Sequence, residues 1–190
     1  MKTHLTHLAR KISVIVASVG LFFLLVYGLL CLTVSPVSAD ATITISGSPL
    51  SVTPQAITCT TVVLSGIAQT ATCTTSAWTI KDPTGTGAGY RLQISATNFS
   101  DGAGHTIPVS GFKLTLADTA ITTTAGNTKP ASAMASATPL STTAQNVLSA
   151  AVNTGMGTYN ATPTFSIDVP PDTFSGSYVS TISATMVAGP

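Results

Sequence analysis

The chain has 190 residues, of which 44% are hydrophobic and only 7% charged. Its 7 lysines and arginines nearly balance 6 aspartates, no glutamate occurs, and the formal net charge is +1. No basic face is available to neutralise phosphates, so nucleic-acid binding is not expected, and a chain this apolar with so little charge does not fit disorder.

Lys2, Arg10 and Lys11 precede an apolar run over residues 12–34, and Val37-Ser38-Ala39 forms a signal-peptidase site before Asp40. Residues 1–39 are therefore expected to be a signal peptide. The run is longer than the ~7–15 apolar residues of an ordinary signal and reaches the ~20 that cross a bilayer. A retained N-terminal anchor is the competing reading, and the only membrane contact expected. Cys31 lacks the small preceding residue of a lipidation site, since Leu30 stands before it.

Residues 40–190 have the length of one domain with its own core. They carry four basic side chains against six aspartates, a formal net charge of −2. Apolar residues alternate with polar ones in several short runs. Even positions are apolar at Trp78 and Ile80, at Tyr90, Leu92, Ile94 and Ala96, and at Phe112, Leu114 and Leu116. Odd positions follow at Phe165, Ile167 and Val169, then even ones at Tyr178, Ile182, Ala184 and Met186. Period two puts each set on one face of a strand, and the Thr, Val and Ile content suits half-buried sheets. The expected fold is all-β: an antiparallel, Greek-key-like β-sandwich rather than a barrel, with at most one short helix. Residues 144–152 are the best helix candidate. Residues 119–142, rich in Thr, Ala and Ser, read either as an ordered excursion with a strand near residues 120–124 or as a long mobile loop.

Cys59 and Cys73 are the two cysteines left after export. If residues 57–64 and 68–74 form a hairpin around Ser65-Gly66-Ile67, counting outward places Cys59 opposite Cys73. Facing cysteines at a non-hydrogen-bonded pair can bridge, and an extracytoplasmic setting keeps the bond. The alternative is two buried free thiols. A metal site is not expected, because zinc needs further ligands and His105 is the one histidine beyond residue 39.

No catalytic residues are identified, and the chain is not expected to be an enzyme or to need a cofactor. A triad needs His105, a serine and an aspartate, and no Gly-x-Ser-x-Gly elbow accompanies them. His105 itself, in Asp101-Gly102-Ala103-Gly104-His105, reads as a solvated turn residue. Asp82 is expected to cap the turn that Pro83 opens and that Gly85, Gly87 and Gly89 allow.

Two stretches carry a family likeness. One is Asp82-Pro83-Thr84-Gly85-Thr86-Gly87-Ala88-Gly89-Tyr90-Arg91-Leu92; the other runs from Tyr178-Val179-Ser180-Thr181-Ile182 through Ser183-Ala184-Thr185-Met186 to Pro190. Together they resemble the signature segments of the WxL domain, a surface module of Gram-positive bacteria, over residues 57–190. The family's first segment runs through a Gly-rich turn into Gly-Trp-x-Leu; its second reads Tyr-x-x-x-Leu-Thr-Trp-x-Leu. Tyr90 stands at the first tryptophan's position and Ala184 at the second's. The resemblance implies a secreted or surface-displayed domain bound non-covalently to the cell wall, through peptidoglycan glycan or a surface partner protein. The chain closes at Pro190 with neither a sortase motif nor a second apolar tail, which fits non-covalent attachment.

Tyr90, Leu92, Tyr178, Ile182 and Met186 are the ligand-contact candidates, because the two signature strands are expected to meet and sugars stack their C–H faces on aromatic rings. The competing reading makes both tyrosines core caps. The alternative function is a structural subunit of a fibre, pilus or outer coat that self-associates through strand edges.

Overall fold

The computed structural model describes residues 10, 13, 15–22 and 41–190. It divides into two units, Met1–Thr44 and Ile45–Pro190. In the first, residues 15–22 are helical, and no helix among the described residues is long and apolar enough to cross a membrane. The cleavage site expected after Ala39, and most of the apolar run, lie outside the described residues.

The second unit is built from fifteen short strands. They are β1 (Ser51–Thr53), β2 (Ile57–Cys59), β3 (Gln69–Thr75), β4 (Trp78–Asp82), β5 (Tyr90–Ala96), β6 (Phe99–Ser100), β7 (Thr106–Ile107) and β8 (Phe112–Thr115). β9 (Ile121–Gly126), β10 (Ala131–Ser132), β11 (Thr138–Pro139), β12 (Gln145–Ala150), β13 (Gly157–Ala161), β14 (Thr164–Val169) and β15 (Ile182–Ala188) follow. All pairings are antiparallel, as the alternation predicts.

One layer holds the sheets β1-β4-β13-β9 and β11-β8-β14-β3-β2. These are successive halves of one kinked ladder. β3 runs into β4 through Ser76-Ala77, and β13 into β14 through Thr162-Pro163. The partner of Tyr159 is Ile80 and that of Phe165 is Cys73, so the register slips by one residue at the kink. That slip switches the inward positions from odd in β3 to even in β4, as a β-bulge does. The facing sheet has the order β10-β12-β5-β15. One apolar cluster fills the sandwich, with Trp78, Ile80, Tyr90, Leu92, Ile94, Phe112, Leu114 and Phe165 all buried.

Two expectations need correction. Residues 144–152 are not a helix: β12 takes up residues 145–150 of this stretch, with a bulge between Asn146 and Leu148. The bulge lets consecutive residues Val147 and Leu148 both turn inward. Apolar positions 144, 147, 148 and 151 then imitate helical spacing without forming a helix. Of the two readings of residues 119–142 the ordered excursion holds and the mobile loop does not, and the excursion contributes three strands, β9, β10 and β11, rather than one.

Cys59 and Cys73 are bridged, and the register pairs Cys59 with Cys73 and Thr58 with Thr74. Thr60 N–H donates to the Thr72 carbonyl at 2.9 Å, so Thr60 and Thr72 are the hydrogen-bonded pair and the cysteines the non-hydrogen-bonded one. The ladder stops at Cys59, however, and residues 60–68 form a longer loop than the three-residue turn the sequence suggests. Reducing the bridge, which closes a loop of ~15 residues, is expected to cost about 3 kcal/mol. Thermal denaturation with and without dithiothreitol measures it; an unchanged midpoint would show that the bridge contributes nothing.

Candidate functional site

The Gly-rich segment forms a tight crossing between the two layers. Asp82, almost wholly buried, accepts hydrogen bonds from the Thr84 N–H (3.0 Å) and hydroxyl (2.6 Å) through Oδ1. Gly89 has φ 74°, and a Cβ there would lie 2.4 Å from the Ala150 carbonyl oxygen, so no other residue fits without displacing backbone. The Gly89 carbonyl accepts from Gly189 N–H at 2.9 Å, tying the first signature segment to the end of the second.

The two signature strands meet, as expected. β5 and β15 pair along their full length, from Tyr90 opposite Ala188 to Ala96 opposite Ile182. Their antiparallel register nevertheless separates the two tyrosines. Tyr90 lies at the Ala188 end, while Tyr178 precedes the Ile182 end, and the six residue steps between 182 and 188 alone span roughly 20 Å. Tyr178 also does not begin β15; its neighbour Val179 bridges Ser100 instead.

Depth separates them too. Tyr90 is 0% exposed and Leu92 only 1%, so both face the core and offer no contact surface. Burial, with Tyr159 and Asp82 nearby, pushes the Tyr90 phenol well above its ordinary range. Among the described residues its hydroxyl has no hydrogen-bond partner. Tyr178, Ile182 and Met186 are half-buried at the surface of the same core. Tyr90→Ala is therefore expected to cost about 3–5 kcal/mol, as large aromatic truncations do. Tyr90→Phe should be neutral or stabilising, since it deletes an unpaired buried hydroxyl. Chemical denaturation of both variants checks the pair.

A groove opens where the two layers part. Trp78, Phe99 and Phe112 form its floor, β2 one wall through Ile57 and Thr58, and Tyr178, Ser180 and Ile182 the other. Its volume is about 530 Å³. A second cleft of about 530 Å³ adjoins it, sharing Cys59, Phe99 and Tyr178 and continuing past Leu64 to Phe174. Val179 and Phe174 are exposed at the rim, at 67% and 61%.

A small network presents Phe174. Asp101 Oδ1 accepts from the N–H groups of Ala103 (2.8 Å) and His105 (3.0 Å), and Oδ2 lies 2.5 Å from His105 Nδ1. The His105 ring stacks on Phe174 at 3.9 Å between centroids. Tyr178 Oη donates to the Phe174 carbonyl at 3.1 Å. His105 is partly solvated, as expected, but it is also tied to Asp101 and stacked on Phe174, a cluster the sequence reading missed. The only signal available was the turn Asp101-Gly102-Ala103-Gly104-His105, which contains no hint of Phe174. Among the described residues no group of three or more metal-ligating side chains comes together.

The His105 ring, followed by the two backbone donors, holds the Asp101 carboxyl below its ordinary value. A depressed folded pKa contributes stability that is complete above the unfolded value, about 3.9, and is lost as pH falls through the folded one. The His105–Phe174 stack is therefore expected to persist from neutral pH down to about pH 4 and to loosen below it. Ring NMR shifts of His105 and Phe174 follow the change; in Asp101→Asn this acid transition should vanish.

The architecture is that of an antiparallel β-sandwich, with a disulfide across β2 and β3 and a groove open at one edge. The family model described as "WxL domain surface cell wall-binding" matches residues 42–166, more than half of the chain, and the chain belongs to this family. The match takes in the Gly-rich crossing and ends at Ser166, before the C-terminal segment. A search of curated proteins found no match. The protein is accordingly an extracytoplasmic one, associated with the cell surface and wall.

Proposed function

We propose that this domain holds to the wall non-covalently, with the sugar chains of peptidoglycan lying across the groove at its open edge. The observation that carries this reading is the exposed Phe174 ring, fixed by His105 and set beside Tyr178 over an apolar floor. Aromatic faces stack on the C–H faces of sugars, and a tyrosine tip adds a hydrogen bond. Ser180 and Thr58 supply hydroxyls on opposite walls. Ile182 belongs to this contact surface and Met186 extends it along β15; Tyr90 and Leu92 support it from beneath. The role is one of binding, not catalysis. A second reading, assembly through strand edges, is favoured by the position of β15 as the outer strand of its sheet.

A contact of this kind owes little to charge, because the 151 residues after Ala39 carry only four basic side chains. Retention on isolated walls is expected to survive a wash at about 1 M salt, which screens exposed charges, and to fail in chaotrope. Phe174→Ala with Tyr178→Ala should abolish retention while leaving thermal stability nearly intact; Tyr90→Phe should retain fully. Walls stripped of protein distinguish glycan from a surface partner protein. Binding that disappears on stripped walls assigns the groove to the partner, and unchanged binding by the folded double variant overturns the site.

A further inference from the structure

The groove combines an uncharged lining with two walls of unlike hydrogen-bonding character. No charged side chain lines it or the adjoining cleft. Asp101 packs beside Tyr178 against Gly176, but its carboxyl is already engaged by His105 and two backbone N–H groups. The floor is apolar, with Trp78, Phe99 and Phe112 buried. The Trp78 indole N–H is spent on Thr75 Oγ1 at 3.2 Å, so the floor presents no free donor there.

The wall built from β2 both donates and accepts. β2 is the outer strand of its sheet. Thr60 forms a hydrogen-bonded pair with Thr72, so by alternation Thr58 bonds Thr74, and the backbone N–H and C=O groups of Ile57 and Cys59 point away from β3. Among the described residues these groups have no hydrogen-bond partner. β2 is three residues long and Pro54 lines the groove just before it, which suits it to a single amide rather than a docked strand. The opposite wall only accepts. Ser180 Oγ donates its hydrogen to the Thr97 carbonyl at 2.7 Å, and Tyr178 Oη donates its own to the Phe174 carbonyl at 3.1 Å. Both oxygens keep lone pairs for a ligand.

A trans secondary amide carries its C=O and N–H on opposite sides, so it can accept from one wall while donating to the other. We infer that the groove, on the wall-contact reading given above, selects the acetamido group of 2-acetamido sugars. The acetamido carbonyl accepts from the β2 edge, its N–H donates to Ser180 Oγ, and its methyl rests on the Trp78–Phe112 floor. The free amine left by deacetylation is an ammonium, which would shed water with no carboxylate to meet it. It also has nothing with which to accept from β2. A plain hydroxyl leaves the floor uncovered. The uncharged lining thus favours N-acetylated glycan over its deacetylated form and over the charged peptide stems.

Trp78 is the single tryptophan of the chain, so its fluorescence reports occupancy of the groove. The exported protein is titrated with the tetramer of N-acetylglucosamine, with the tetramer of glucosamine at a pH where its amines are charged, and with the tetramer of glucose. The N-acetylated tetramer is expected to bind on the order of tenfold or more tighter than either, as sites that hydrogen-bond a ligand group reject analogues lacking it. Ser180→Ala should lose most of that preference. Walls stripped of N-acetyl groups should retain less protein, and chemical re-acetylation should restore retention. Any titration in which the N-acetylated tetramer is not preferred overturns the inference, as does a full preference kept by Ser180→Ala. The wall-contact reading falls separately: it fails if folded Phe174→Ala with Tyr178→Ala is retained on walls, whatever the oligomers do.

Discussion

The sandwich depends on one backbone approach: Gly89 against the Ala150 carbonyl. The chain leaves β4 in one layer and must enter β5 in the other within seven residues, 83–89. Asp82 pins the start of that crossing, and the positive φ at Gly85, Gly87 and Gly89 turns it. The next residue, Tyr90, then drops into the core, where Gly155 lies so close that a Cβ would sit 2.8 Å from its ring. β12 and β15 both hang on β5, so a crossing that failed here would lose the facing sheet entirely. The Gly-rich motif is thus explained by backbone geometry alone, with no ligand required.

Sealing one side of the sandwich leaves the other available. The segment carrying β10 and β11 joins the layers: Leu116 N–H donates to Met134, Leu140 N–H to Phe112, and Ala96 N–H to Ser141 carbonyls. Among the described residues no comparable segment links β2 to the stretch from Tyr178 to Ile182, and the groove lies between them. The disulfide holds β2 on β3 at this unsealed side. The bridge there fixes one wall of the groove without filling it. The disulfide and the groove therefore share this edge of the sandwich.

Period-two alternation made the faces of β4, β5, β8 and β14 legible, because burial on one side of a pleated strand leaves a direct trace in residue type. The cysteine register was legible as well: counting residues across a hairpin survives a change in loop length so long as the sum of paired numbers is kept. Alternation does not encode depth. Tyr90 and Tyr178 have the same parity, yet one lies in a central strand and the other outside the edge strand, and only the ladder distinguishes them. Bulges also escape such reading, which is why β12 resembled a helix. The Phe174–His105 stack joins loops about 70 residues apart in sequence, and no local pattern reports it.

The two departures from the family signature sit in physically different places. At Tyr90 the aromatic ring is kept and wholly buried, so the change from tryptophan trims the core without opening it. Ala184 stands opposite Ile94 on β15, where its small side chain is half-buried. A tryptophan there would have to spread along the strand over Ile182 and Met186, its neighbours on the same face. Alanine instead leaves those two side chains packed directly against the core. The departure at Tyr90 is therefore one of core volume, and the departure at Ala184 one of surface cover.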